Sequence, residues 1–388
     1  MLKSVPPAPT DGPPPRAPLS ATSRVALASG LAAGLITPSI LRQTIATGLK
    51  SPTDLALSDD GMLFYTERAR GLYAQRLGQV ATALFAPNDL ATSSALGMLA
   101  VAIDPEFSRN RFVYVFMVTS AEGLESSRVV RLRLDDSGTK VLERQDILAI
   151  AAGAASPRKT ASEPQFGGAL RFGPDGYLYV GLGDARSAMP RQTLLAGTVL
   201  RINREGKAAP GSGVSPGYDS RVYAHGMRDP VALAFHPNTE TLLVGQRRGS
   251  QPDDITMVAP GANGGWDPRC APPKTGYCDQ EGNQLDAASA KRAPAAWRGG
   301  KAGEGLTAIE RLRGPMWREW RNAFVVAFDR AQRLDLVKLD AQGRVVQATP
   351  AIQKLGVGFK AVAQGPDGLY VVTSGKPGGE EIWRLFAQ

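Results

Sequence analysis

The sequence has few of the residues that most often carry metal and acid–base chemistry. Its 388 residues include only two histidines and two cysteines. Cys270 and Cys278 lie in the Pro/Gly-rich segment DPRCAPPKTGYC, with no CxxC motif and no Cys/His cluster in the chain. This spacing argues against a zinc site. It favours a loop disulfide, and hence an oxidising compartment, over two free thiols.

Long apolar runs and blocks of like charge are also missing. No uncharged apolar run reaches the roughly 18 residues of a membrane span, so we expect no integral membrane protein. The formal net charge is +9, but no block of five or more like charges occurs. Nucleic-acid-binding proteins usually concentrate their basic residues on one face or tail, so we expect no nucleic-acid partner. Attraction to acidic partners or anionic ligands stays open.

The N-terminal part differs in composition from the rest of the chain. Residues 1–20 contain seven prolines and almost no large apolar residue, which is typical of a disordered extension. Arg24 is followed by VALASGLAAGLI (25–36), which has the length of a signal-peptide core or leads, as a small-residue stretch, into the first strand. We expect residues 1–40 to lie outside a domain of residues 41–388. A periplasmic or secreted location is the corresponding expectation.

The rest of the chain is rich in turn residues and repeats one local pattern. The chain has 43 glycines and 29 prolines, together 72 of its 388 residues. This share of about 19% is well above the average of roughly 12% for these two residues. The repeated pattern is an apolar segment, a turn with Asp-Gly or Pro-Asp-Gly, and a second apolar segment. It occurs clearly at 51–68, 167–184 and 359–375, and more loosely at 98–116, 230–246 and 322–339.

Each copy predicts a β-hairpin, since Asp-Gly and Pro-Asp-Gly supply the backbone angles that tight turns need. The flanking Val, Leu, Phe and Tyr residues favour strands. About six copies leave roughly 55–60 residues per unit, enough for a four-stranded sheet. We therefore predict an all-β fold, a six-bladed β-propeller of four-stranded antiparallel sheets. A pair of β-sandwiches would not explain the recurring hairpin.

Several segments resemble the soluble sugar dehydrogenases of the glucose/sorbosone dehydrogenase family, which use pyrroloquinoline quinone (PQQ). The resemblance spans residues 46–385, in the family's order, and rests on segments such as GLKSPTDLALSDDGMLFYTER, FGGALRFGPDGYLYVGLGD, HGMRDPVALAFHP and DDITMVAPGANGGW. It implies a six-bladed propeller that binds PQQ and Ca²⁺ and oxidises a small-molecule sugar by hydride transfer to the quinone.

The family's catalytic base is a His in an H-x-G-G-R-L segment, and this segment is altered here. It reads QFGGAL, so Gln165 stands at the position of the His. An amide cannot act as a general base. Asp184, in GLGD, matches the acidic partner of that His and is a candidate base, together with Glu163. The two histidines, His225 and His236, match neither position.

Other family positions imply cofactor and metal contacts. G-x-R-N-P-Q-G becomes GMRDPVA, in which Arg228 is retained as a catalytic and quinone-binding residue and Asp229 replaces a cofactor-binding Asn. Val231 replaces a Gln and cannot make its hydrogen bonds. Lys360 keeps the positive charge of an Arg-x-Arg that holds PQQ carboxylates in the family. Lys is a poorer bidentate partner than Arg.

The family's Ca²⁺-binding loop, E-x-G-P, reads Gln246-Arg247-Arg248-Gly249. Backbone carbonyls of Arg248 and Gly249 are the candidate metal ligands, although two guanidinium groups there would repel a divalent cation. Arg247 is a candidate cofactor-binding residue, and both arginines are candidate anion-binding residues.

Two functions follow from this pattern. The first is an oxidoreductase of the PQQ-dependent sugar dehydrogenase type with a degenerate site. The second is a non-catalytic propeller that binds a carbohydrate or an anionic partner, since a fold does not fix a function.

Overall fold

A computed structural model describes residues 22–24, 40–91, 96–121, 124–151, 165–184, 195–212, 218–249, 251–266, 293, 295–353 and 355–387. Its strands form six antiparallel sheets arranged as the six blades of a β-propeller, which confirms the predicted fold. Cys270, Cys278 and Glu163 lie outside the described residues, so the predicted disulfide stays a prediction.

Two strands precede the first blade, β1 (Thr22–Arg24) and β2 (Ile40–Leu49). Blade 1 contains β3 (Pro52–Leu57), β4 (Met62–Glu67), β5 (Gly71–Arg76) and β6 (Thr82–Phe85). Blade 2 contains β7 (Met98–Ile103), β8 (Phe112–Ala121), β9 (Leu124–Leu134) and β10 (Val141–Ala151), with the short helix α1 (Phe107–Asn110) between β7 and β8. Blade 3 contains β11 (Gly167–Phe172), β12 (Leu178–Leu182), β13 (Thr198–Ile202) and β14 (Val222–His225).

Blade 4 contains β15 (Pro230–Phe235), β16 (Leu242–Gln246), β17 (Pro252–Val258) and β18 (Ala295–Ala302). Blade 5 contains β19 (Leu306–Arg311), β20 (Phe324–Phe328), β21 (Arg333–Leu339) and β22 (Val345–Gln353), with a 3₁₀ helix (Pro315–Trp320) between β19 and β20. Blade 6 contains β23 (Gly358–Gly365), β24 (Gly368–Ser374) and β25 (Glu380–Ala387).

The two ends of the chain meet in blade 6. Its strand order is β1-β2-β25-β24-β23, so the N-terminal strand β2 supplies the fourth strand beside the C-terminal β25. β1 adds a short fifth strand from within the predicted 1–40 extension. Otherwise that extension falls outside the described residues, and the boundary at residue 40 stays a prediction. Pairing of both chain ends in one sheet closes the ring.

The predicted hairpin turns form as their residue types require. In blades 1 and 3, the N–H groups of Gly61 and Gly176 each donate to the carbonyl three residues earlier, at Ser58 and Gly173, over 3.0 Å. Both glycines have positive φ, +80° and +77°. This is the backbone region that glycine enters without steric cost.

One hairpin joins a different pair of strands in its blade from the other five. In five copies the hairpin joins the first and second strands, whereas residues 322–339 contain the second and third strands, β20 and β21. The first strand of blade 5 is β19, separated from β20 by the 3₁₀ helix. Trp317 and Trp320 of this helix are buried, so the insertion packs onto the blade and hides the repeat.

The core lies between neighbouring blades. Side chains alternate along a strand, so a strand buried on both faces is apolar throughout. In β8, Val113 and Val115 pack in the cluster shared with blade 1, while Tyr114 and Phe116 pack in the cluster shared with blade 3. The other blade interfaces contain similar clusters. The six inner strands, β3, β7, β11, β15, β19 and β23, contact one another around a central channel.

Among the described residues, none of the helices has the length and apolar character that crossing a bilayer requires.

Candidate functional site

A cavity of about 490 Å³ lies at one end of the central channel. Every blade contributes a residue from near the start of its inner strand, namely Thr53, Leu99, Gly168, Val231, Thr307 and Lys360. Among the described residues, five cationic side chains and two carboxylates line the cavity: Arg68, Arg228, Arg247, Arg330, Lys360, Asp253 and Asp329. The described part of the wall therefore has an excess of positive charge.

The predicted catalytic residue Gln165 lines this cavity, immediately before β11. Its backbone N–H donates to Oδ1 of Asp184 over 3.3 Å, and the N–H of Asp184 donates to the carbonyl of Arg228 over 3.0 Å. The backbone segments at Gln165 and Gly183 approach each other so closely that a Cβ at Gly183 would lie 2.1 Å from the carbonyl oxygen of Gln165. Three residues predicted to be catalytic thus lie side by side.

Arg228 precedes β15 and lies on the cavity wall with only 7% of its surface exposed. Its backbone N–H donates to Oε1 of Gln246 over 3.2 Å, and its Nη1 donates to the carbonyl of Arg247 over 3.3 Å. The ring of Trp266 lies 5.4 Å from the guanidinium carbon, a cation–π distance. These contacts place the guanidinium against the loop that follows β16.

Asp229 and Arg247, both predicted to bind cofactor, bind each other. Nε of Arg247 donates to Oδ2 of Asp229 over 2.7 Å, and the carboxylate has no exposed surface. Oδ1 of Asp229 accepts a hydrogen bond from the N–H of Gly167 over 3.2 Å, which links blade 3 to blade 4. Burial lowers the pKa of Arg247, but the attraction of Asp229 outweighs this and the pKa is raised. Asp229 therefore holds the charged Arg247 in place.

Arg248 points away from the cavity, unlike its neighbour. Its Nη1 donates to Oδ2 of Asp254 over 2.9 Å, and the two side chains are only 2% and 3% exposed. Gly249 lines the cavity with a positive φ of +68°. Of the two residues whose carbonyls were candidate metal ligands, only Gly249 is on the cavity wall.

Lys360 lies on β23 and faces the cavity, as its predicted role in cofactor binding requires. Its Nζ forms an ion pair with Oδ2 of Asp329, whose Oδ1 accepts a hydrogen bond from the hydroxyl of Ser374. Asp329 therefore compensates part of the positive charge of Lys360.

Asp253 is the other carboxylate on the wall, and backbone groups hold it. Oδ2 accepts hydrogen bonds from the N–H groups of Gly305 (2.9 Å) and Leu306 (2.8 Å), and Oδ1 accepts one from Arg248 N–H (3.2 Å). Burial raises the pKa of Asp253, and these hydrogen bonds oppose the increase. The carboxylate anchors the start of β19.

The sequence reasoning missed two cationic residues of the wall, Arg68 and Arg330. A signal was present in the hairpins, since the chain reaches the cavity directly after the second strand in blades 1, 4 and 5. Arg68 follows β4, Arg247 follows β16 and Asp329 follows β20. Aligning the hairpins would have predicted Arg68 from the position of Arg247.

The two histidines lie outside the cavity wall. His225 is buried and stacks on Tyr218 with ring centres 4.8 Å apart. His236 is 2% exposed, its Nδ1 accepts backbone hydrogen bonds at 3.4 Å, and burial lowers its pKa. Neither is placed to act as the missing base.

Comparison with known proteins gives consistent results. The glucose/sorbosone dehydrogenase family model matches residues 49–384. Quinoprotein glucose dehydrogenase B of Acinetobacter calcoaceticus is 27% identical over 272 residues, covering 62% of this chain and 54% of that protein. Aldose sugar dehydrogenase YliI of Escherichia coli is 23% identical over 295 residues, covering 73% and 75%.

Solved structures show the same fold. The apo form of the soluble aldose sugar dehydrogenase from Escherichia coli matches with a TM-score of 0.74 and 20% identity, covering 90% of this chain and 100% of that one. The PQQ-bound aldose sugar dehydrogenase from Streptomyces coelicolor matches with a TM-score of 0.70 and 21% identity, covering 97% and 100%.

Proposed function

Because this chain belongs to the glucose/sorbosone dehydrogenase family, we propose that it is a PQQ-dependent oxidoreductase that acts on a sugar. When bound, the quinone would accept a hydride from a hydroxyl-bearing carbon of the sugar. The observation that carries the proposal is the convergence of Gln165, Arg228, Arg247 and Lys360 on one cavity. These residues come from blades 3, 4 and 6 and match separate functional segments of the family.

The cavity suits PQQ in size and charge. A volume of about 490 Å³ lies within the usual range of roughly 300–1,000 Å³ for sites of small ligands. PQQ is a planar tricarboxylate, and five cationic side chains against two carboxylates favour an anion. When bound, PQQ would supply the two-electron acceptor.

The residues of this chain then have separate tasks. The guanidinium of Arg228 would bind and orient an anionic or carbonyl oxygen, because its donors face the cavity from a buried, fixed position. Gln165 can hydrogen-bond a sugar hydroxyl but cannot remove its proton. The proposed proton acceptor is therefore the carboxylate of Asp184, which lies beside Gln165 but is not itself among the residues that line the cavity. We expect weak turnover, since a positioned base typically contributes about 10²–10⁴-fold.

The second candidate is a non-catalytic propeller that binds a carbohydrate or an anionic partner. It is favoured by the two carboxylates on the described part of the wall, because both already bind other groups of the protein. Asp253 is held by backbone N–H groups, and Asp329 by Lys360 and Ser374.

One experiment separates these candidates. The protein is titrated with PQQ and followed by its absorption spectrum, and reduction of a dye is then measured with a panel of aldoses. Saturable PQQ binding with weak dye reduction that falls further in Asp184→Asn and Arg228→Ala supports the oxidoreductase. Absence of PQQ binding supports the binding protein. Robust wild-type turnover that Asp184→Asn leaves unchanged contradicts the assigned proton acceptor.

We also propose a periplasmic or secreted location, on the grounds of the signal-like segment 25–36 and the two cysteines. Fractionation of cells that express the full chain with a C-terminal tag tests this, and retention of the tag in the cytoplasmic fraction contradicts it.

A further inference from the structure

The loop Gln246–Gly249 is the segment at which the family resemblance implies backbone contacts to Ca²⁺. In this structure the guanidinium of Arg228 lies against that loop. Its Nη1 donates to the carbonyl of Arg247 over 3.3 Å. A Cβ added to Gly249 would lie 3.3 Å from both Cζ and Nη2 of Arg228, so the guanidinium also packs on the backbone of Gly249. A cationic side chain therefore packs against one of the two residues, Gly249, whose carbonyls are the candidate metal ligands.

The surrounding groups do not fit Ca²⁺. This ion requires about six to eight oxygen ligands, commonly with several carboxylates. The described residues contain no group of three or more His, Cys, Asp or Glu side chains that could hold a metal ion. Asp229, the carboxylate behind the loop, is bound to Arg247. The charge of Arg247 would repel a divalent cation, and the contact of the Arg228 guanidinium with the loop backbone adds to this repulsion.

Arg68 adds a further positive charge to the same cavity. Nη1 of Arg68 donates to the carbonyl of Leu96 over 3.4 Å, and within the described part of the chain no carboxylate forms an ion pair with it. Burial lowers the pKa of Arg68 and the positive charge of Arg247 lowers it further, while the negative charge of Asp329 opposes this decrease. A half-buried guanidinium without an ion-pair partner is costly, and an anionic ligand would relieve that cost.

We propose that this cavity binds polycarboxylate anions without a metal ion. The guanidinium of Arg228 takes the place of the cation, and Arg68 is an additional anion-binding residue. The identity of PQQ as the natural anion rests on the proposed function, but the metal-free mode of binding rests on the contacts of Arg228 and Arg68. Charge-assisted hydrogen bonds from guanidinium groups are well suited to carboxylates.

Two probes test this, PQQ itself and citrate, a tricarboxylate unrelated to the proposed reaction. Calorimetry measures the binding of citrate to the full chain in EDTA, the binding of PQQ in EDTA and in excess Ca²⁺, and the binding of Ca²⁺ alone; citrate is not tested with Ca²⁺ because it chelates this ion itself. We expect dissociation constants of PQQ that agree within about twofold in both buffers, and no Ca²⁺ binding tighter than about 1 mM, the weak end of protein Ca²⁺ sites.

Variants then locate the site. Arg68→Gln and Arg228→Gln should each weaken binding about ten- to a hundredfold, the effect of one charge-assisted contact. The control Arg76→Gln removes a half-exposed arginine outside the cavity and should leave binding unchanged. Circular dichroism verifies that the Arg228→Gln variant is folded. If it is unfolded, Arg68→Gln, whose residue is less buried, decides the matter alone.

The outcomes separate this inference from the proposed function. Citrate binding in EDTA that depends on Arg68, without PQQ binding, supports the inference and contradicts the proposed function. PQQ binding that requires Ca²⁺, or sub-millimolar Ca²⁺ binding alone, overturns the inference and leaves the proposed function standing. Failure of both anions to bind in EDTA, or equal binding by Arg68→Gln, also overturns it.

Discussion

Asp229 and Arg247 form an ion pair in which one partner is wholly buried and the other is 42% exposed. The sequence indicated that both contact a cofactor, and the structure shows that they contact each other. Arg247 is consequently held in position, with part of its charge compensated before any ligand binds. The positive charge of the cavity that pairs with no described carboxylate then comes from Arg68, Arg228 and Arg330.

This ion pair predicts an asymmetry in stability. Arg247→Ala should lower the free energy of unfolding by about 3 kcal/mol, because it leaves the buried carboxylate of Asp229 without a counter-charge. Asp229→Asn should cost only about 1 kcal/mol, since the amide oxygen can still accept from Gly167 and the Arg247 head reaches water. Urea denaturation of both variants and of the double variant measures this. Equal losses in the two single variants would show that the exposure of Arg247 does not matter.

The ion pair between Arg248 and Asp254 predicts that Arg248 contributes to stability and not to binding in the cavity. Arg248→Met should lower the free energy of unfolding by about 3–5 kcal/mol, because it removes the guanidinium that pairs with the buried carboxylate of Asp254. The double variant Arg248→Met/Asp254→Leu should recover much of this loss. Citrate affinity of the folded double variant should match that of the wild type, since Arg248 does not line the cavity. A tenfold loss of affinity would place Arg248 in the site after all.

Gln165→His should restore a titratable base beside Asp184. We expect dye reduction with aldoses to rise at least about tenfold, within the contribution of about 10²–10⁴-fold that a positioned base makes. The gain should appear as the pH rises through the imidazole pKa, near about 6.5, because only neutral His accepts a proton. Gln165→Asn is the matched control and should show no gain. A rate increase that is independent of pH would point to a change in binding instead.

Asp54 predicts a pH dependence of stability. It lies on β3 below the cavity, and burial raises its pKa from 3.8 to about 6, although Val101 N–H and the charge of Arg171 oppose the increase. A raised carboxyl pKa stabilises the fold below about pH 4, and this contribution is lost as the pH rises to 6. The wild type should therefore lose up to about 3 kcal/mol relative to Asp54→Asn between pH 4 and 7.

Stability curves of the wild type and Asp54→Asn, measured by urea denaturation at several pH values, test this. Parallel curves over that interval would mean that Asp54 is ionised normally in the folded protein. The same measurement on Glu310→Gln is the control, because Glu310 is a neighbouring acid that pairs with Arg171 over 2.8 Å.

The predicted disulfide is tested by mass spectrometry of protein from its native compartment, without reduction. We expect a peptide that links Cys270 to Cys278. Loss of this bridge in Cys270→Ser should lower the free energy of unfolding by about 2–3 kcal/mol, because the loop that it closes is short. Alkylation of both thiols without prior reduction would contradict the prediction.

The hairpins could be predicted because their causes are local. Asp60-Gly61 and Asp175-Gly176 fix the turns, and apolar residues on both sides form the strands. In blade 5 the predicted hairpin of residues 322–339 also forms, but it joins the second and third strands instead of the first and second. The insertion with Trp317 and Trp320 separates its first strand from its second, and only packing against the blade reveals this.

The sequence by itself determined the propeller and the family, and the candidate residues that it predicted, Gln165, Arg228, Arg247 and Lys360, line one cavity. Only the tertiary structure decided which charges the cavity keeps. Arg247 and Arg248 are adjacent, but one reaches the cavity and the other is buried against Asp254. Arg68 reaches the same cavity as Arg247, from blade 1. The interaction energy of a charge near the channel depends on its distance from other charges, and these distances are set only when the ring of blades has closed.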